Sequence, residues 1–114
     1  MKIEFEKKMR IVSDLLSYCH LKGASDINID MTYKNGVSFF IIKASPAHIS
    51  DEELTELRKN LYAPRQTEIE HDYWGLMGES ENFTELTLVG MMSDEAEAEY
   101  SGGELKIMIK RHDL

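Results

Sequence analysis

Residues 14–54, DLLSYCHLKGASDINIDMTYKNGVSFFIIKASPAHISDEEL, decide the fold, because they read in order as the end of a helix, a tight hairpin and the start of a capped helix. Ile27, Ile29, Met31 and Tyr33 alternate with Asp26, Asn28, Asp30 and Thr32, the period of two that marks a strand buried on one face. Asn35-Gly36 suits a two-residue type I′ turn, whose central residues both need positive φ. Val37-Ser-Phe-Phe-Ile-Ile42 is apolar on both faces, so a central strand is expected beside a half-wet one. Ser50 with Glu53 three residues on makes a capping box, and Ile49 with Leu54 a hydrophobic staple. Leu54, Leu57 and Leu61 then share the inward side of a helix that Pro64 ends.

Upstream, Phe5, Met9, Val12, Leu16 and Cys19 are spaced by four, three, four and three, which predicts one apolar helical stripe. Glu4, Glu6, Lys7, Lys8 and Asp14 fall mainly on the other side, and Gly23 fits the C′ position just past the helix end. Downstream, residues 62–81 are the least regular stretch, with Pro64, Gly75 and Gly78 beside Tyr73, Trp74 and Met77. A loop of that length is uncommon in a compact domain unless it serves as a lid or binding loop, or is partly helical. Phe83, Leu86, Val89 and Gly90 predict a short helix ending near Met92. Ala96, Ala98 and Tyr100 then alternate with Glu95, Glu97 and Glu99, and after Ser101-Gly102-Gly103 the residues Leu105, Ile107 and Ile109 alternate with Lys106, Met108 and Lys110. The expected architecture is a single α+β domain over residues 1–114: a two-layer sandwich in which one mixed sheet of two hairpins carries about three helices on one face.

Thirteen Lys and Arg against twenty-one Asp and Glu give a net charge of −8, which repels phosphate backbones and anionic membranes. Neither nucleic acid nor a membrane is expected as a partner. The opening MKIEFEKKMR mixes both charge signs without an apolar run, so no signal peptide is expected, and no later stretch is long enough to span a bilayer. The single Cys19 cannot form an internal disulfide and fits a reducing cytoplasm.

The element order, the string LLSYCHLKG, the segment ASPAHISDEEL and the ending MMSDEAEAEYSGGELKIMIKR resemble the histidine-kinase-like ATPases of the GHKL or Bergerat type, and within them the small bacterial anti-sigma-factor serine kinases. In that family the first helix carries an acidic residue and, four positions on, an Asn that holds the magnesium of the nucleotide. Here Asp14 stands at the acidic position and Tyr18 where the Asn belongs. The family follows its second strand with Asp-x-Gly-x-Gly-Ile, whose Asp reads the adenine amino group and whose glycines let backbone approach the nucleotide. Here Ala44 replaces the Asp, Pro46 and His48 replace the glycines, and Ile49 alone remains. A glycine-rich turn should also precede the third helix, where phosphate meets a helix N-terminus. The matching positions are Phe83, Thr84, Glu85 and Leu86, with Gly75 and Gly78 as substitutes only if the alignment shifts.

The resemblance therefore implies the architecture without the chemistry. The expected function is that of a non-catalytic regulatory domain acting through a protein partner: a sigma factor, its antagonist or a copy of itself. No catalytic residue, metal or cofactor is expected, Mg-ATP entering only if the chain is instead a divergent ATP-binding serine kinase. A small-molecule sensor built on the remodelled pocket around Tyr18, Pro46 and His48 is the third reading. His20, His48, His71 and His112 match no ligand spacing. Ser13 and Ser17 lack the partnered base a nucleophile needs. Tyr73 and Trp74 are read either as plugs over the emptied pocket or as anchors for the partner.

Overall fold

A computed structural model describes residues 2–66 and 86–113 of the chain. Its elements are α1 (Lys2–Leu21), β1 (Asp26–Lys34), β2 (Val37–Ser45), α2 (Asp51–Leu61), α3 (Thr87–Met91), β3 (Glu95–Ser101) and β4 (Glu104–His112). Most of the irregular segment, with Tyr73, Trp74, Gly75 and Gly78, lies outside the described residues, as does Phe83 of the predicted short helix. No described helix is long and apolar enough to cross a membrane.

The local signals act where the sequence put them. Asn35 and Gly36 take φ of 53° and 77°, closing the β1–β2 hairpin. Gly23 takes φ of 91°, its N–H donating to the His20 carbonyl while Ala24 N–H reaches back to Cys19, the bond pair of a Schellman cap. Ser50 Oγ accepts from Glu53 N–H at 3.1 Å and Glu53 Oε1 accepts from Ser50 N–H at 2.9 Å, so the capping box is closed in both directions.

The two hairpins join into one four-stranded sheet in the order β1-β2-β4-β3, antiparallel at every pairing, which corrects the expectation of a mixed sheet. The chain leaves β2 through α2 and α3 and enters β3 two positions away, running the same way as β2. The returning strand β4 then fills the gap and is antiparallel to both neighbours. Residues directed to the helices form one inward face: Ser38, Phe40, Ile42 and Ala44 of β2 lie opposite Arg111, Ile109, Ile107 and Leu105 of β4, with Ala96, Ala98 and Tyr100 of β3 beyond. These pack with Ile11, Leu15, Leu57, Leu61, Leu86, Leu88 and Val89 into the core.

The buried side of α1 is not the predicted stripe. Lys7, Ile11, Leu15, Tyr18 and Cys19 are buried, whereas Phe5 is 53 % and Leu16 40 % exposed and Val12 only borders the core. The cause is Arg111, the fourth inward position of β4 and fully buried. Its Nε and Nη2 each donate to the Glu4 carboxylate at 2.9 Å, and Nη1 donates to the Met92 carbonyl at 2.7 Å. A buried guanidinium persists only with such a partner, so the helix turns Glu4 inward and Phe5 outward. Beside it Ser38 Oγ donates to Asp113, which also pairs with Lys8 at 2.9 Å.

Candidate functional site

Three places in the described chain gather chemistry. At the C-terminal end of α1, Tyr18 and Ala44 belong to one core, and His48 is tied to the residues that follow the helix. Tyr18 is 3 % and Ala44 1 % exposed, and both belong to the continuous core with Ala47 and Ile49. His48 is exposed, its N–H donates to the Lys22 carbonyl at 2.9 Å, and its ring lies against Gly23, where a Cβ would crowd it. Pro46, after a cis peptide, is exposed at the rim. The turn holding them is tied down: Ala47 N–H donates to the Gly103 carbonyl at 2.8 Å and accepts at its own carbonyl from Tyr100 Oη at 2.6 Å.

Lys22 closes this end. Its Nζ lies 5.3 Å from the Tyr18 ring centroid and 2.6 Å from Glu53 Oε2. Hydrogen bonding from Lys22, then from the Ser50 N–H, outweighs the opposing desolvation and lowers the Glu53 carboxyl to about 2. Asp14, one helical turn before Tyr18, pairs with Arg10 at 3.4 Å; partial burial raises its pKa, and Arg10 only partly counters that.

The second place is the face of the sheet away from the helices. Across it run three rows: Asn28, Lys43, Lys106 and Glu99; Asp30, Ile41, Met108 and Glu97; Thr32, Phe39, Lys110 and Glu95. Lysines occupy the two central strands, glutamates β3 and a single carboxylate, Asp30, the β1 end of the rows, around an apolar strip of Phe39, Ile41 and Met108. Lys110 reaches Glu95 at 3.3 Å. Lys43 and Lys106 face each other directly across β2 and β4, a like-charge pair that costs stability, at the side of a depression of about 480 Å³ shared with Asn28, Asp30 and Ile41. An apolar slot of about 200 Å³ continues over Phe39, Ile41 and Met108. The sequence already held the signal, since Phe39 and Ile41 sit at outward parity in a strand apolar on both sides.

At the third place Asp94 collects Arg65 Nη1 at 2.7 Å, the His112 N–H at 2.6 Å and His112 Nδ1 at 3.1 Å. Desolvation raises the Asp94 carboxyl, but the His112 backbone and ring bonds and the Arg65 charge outweigh it, and the net shift is downward. Arg65 also donates to the His112 carbonyl, so the cluster pins the ends of β3 and β4 together. His20 stands exposed apart from these groups, His71 lies outside the described residues, and among the described residues no three His, Cys, Asp or Glu side chains converge. No protein-family model matches the chain, and a search of curated proteins finds no match.

Proposed function

We propose that this chain is a non-catalytic, histidine-kinase-like regulatory domain that works by binding another protein on the open face of its sheet. The observation that carries the reading is the burial of Tyr18 and Ala44 in one core. Where the resemblance puts a magnesium-holding Asn and an adenine-reading Asp, this chain commits side chains to packing. Loss of one charge-assisted hydrogen bond costs about 1.5–3 kcal/mol, ten- to more than a hundredfold in affinity. Several such losses leave little ATP binding. Magnesium needs oxygen ligands, which a buried phenol ring supplies poorly.

The partner this face fits is a protein segment that sets an acidic side chain on Lys43 and Lys106 and an apolar one on Phe39, Ile41 and Met108. Charge complementarity supports it, because Lys43 and Lys106 stand opposed at the centre of the face, with Glu99 opposite Lys106 alone, and an anionic side chain set between the two lysines would relieve their repulsion. A sigma factor or its antagonist is the partner class that the resemblance implies. The test is binding of candidate sigma factors and antagonists to wild type and to the Lys43→Glu/Lys106→Glu variant, by fluorescence anisotropy. A partner that binds wild type and is lost by at least about tenfold in the variant supports the reading. Equal binding to both contradicts the docking face.

A further inference from the structure

Strand β1 is an edge of the sheet, and among the described residues nothing pairs with its outer side. Lys34 and Val37 flank a two-residue turn, so they exchange the bonds that close the hairpin, and the alternate pairs Thr32 with Phe39, Asp30 with Ile41 and Asn28 with Lys43 do the same. The backbone N–H and C=O groups of Ile27, Ile29, Met31 and Tyr33 therefore point away from β2 along the free edge. The same parity on the other edge directs the Ala98 carbonyl outward. There Arg58 Nε donates to it at 3.0 Å, so β3 is partly capped by its own protein. Among the described residues no side chain caps the backbone of β1 in this way. Its nine residues contain no proline, glycine or bulge, and Met31 and Tyr33 are 40 % and 62 % exposed.

We propose that β1 pairs antiparallel with β1 of a second copy about a twofold axis at Asp30, joining two four-stranded sheets into one continuous sheet. In that register Ile27 faces Tyr33 of the other copy and Ile29 faces Met31. All four outward residues of each strand are then paired, and β-branched and aromatic side chains meet across the seam. Asp26 lies opposite Lys34 of the other copy, and this ion pair occurs at both ends. A shift of two residues in either direction leaves an outward residue overhanging in each copy and separates Asp26 from Lys34. The register carries one penalty, Asp30 opposite Asp30 across the axis, which keeps the association weak and makes it adjustable. The inference goes beyond the docking reading and needs none of it, because it uses the edge of the sheet and leaves the open face free.

Sedimentation velocity over about 5–500 µM tests it. Wild type should show a concentration-dependent monomer–dimer equilibrium. Met31→Pro should remain monomeric throughout with its circular dichroism spectrum and cooperative melt retained, since the Met31 N–H points outward and proline there removes no hydrogen bond within a protomer. Asp30→Asn should tighten the dimer about threefold or more. Asp26→Lys should weaken it, and Asp26→Lys combined with Lys34→Asp should restore it. The proposal is overturned if wild type is monomeric over the whole range, if Met31→Pro still dimerises, or if the double charge exchange is no tighter than the single one.

Discussion

The Glu4 carboxylate bonds both Nε and Nη2 of a guanidinium that has no exposure to solvent. Glu4→Ala would leave Arg111 with the Met92 carbonyl and, at 3.9 Å, Asp113 as its remaining named partners. We expect a loss of roughly 3 kcal/mol in urea denaturation, because the buried guanidinium loses both of its short carboxylate bonds, and that is far costlier than a missing surface pair. Cys19 behaves oppositely: burial pushes its thiol up to about 11, so it should resist alkylation at pH 8 in the native protein and react fully in denaturant. Of these two residues the sequence marked only one correctly. Cys19 lies on the predicted stripe and is buried. Glu4 falls on the side away from that stripe, although Arg111 continues the inward parity of Leu105, Ile107 and Ile109. Its partner is more than a hundred residues away, and no local pattern links them.

Elements with self-contained signals form as written. The capping box, the Asn35-Gly36 turn, the Gly23 cap and the Glu95–Leu105 alternation each depend on neighbours within a few residues. Ser50→Ala should cost about 1 kcal/mol by removing the acceptor for Glu53 N–H. Glu53 is depressed in the fold, so its contribution is fully present above its ordinary 4.5 and is lost as pH falls toward about 2. The stability gap between wild type and Glu53→Gln should close across that window. Helix α1 was misread by rotation because apolar residues occur around much of its circumference, and periodicity alone does not choose among adjacent stripes. Gly90 in α3 shows another limit: a Cβ there would overlap the Asn60 carbonyl oxygen of α2, a close approach that only the assembled fold reveals. Gly90→Ala should destabilise by roughly 1–3 kcal/mol in thermal or urea melts.

For the whole molecule, the two hairpins were legible and the way they join was not. Pairing β2 with β4 brings residues some seventy positions apart into register, and it is this pairing that sets lysine against lysine on the open face. The α+β, two-layer character was legible for the opposite reason: each hairpin has one inward alternation that helices must cover. The candidate site divides similarly. Tyr18, Ala44 and His48 are named by motif alone, whereas the opposed lysines of the open face emerge only when two distant strands lie side by side. Among the described residues both follow from one arrangement, a closed core at the C-terminal end of α1 and a sheet face away from the helices. On the proposed reading, the end of α1 that buries Tyr18 and Ala44 takes no nucleotide. Isothermal titration of the full chain with ATP and magnesium should then give no binding heat up to millimolar nucleotide, and a saturable isotherm at micromolar affinity would contradict the proposal.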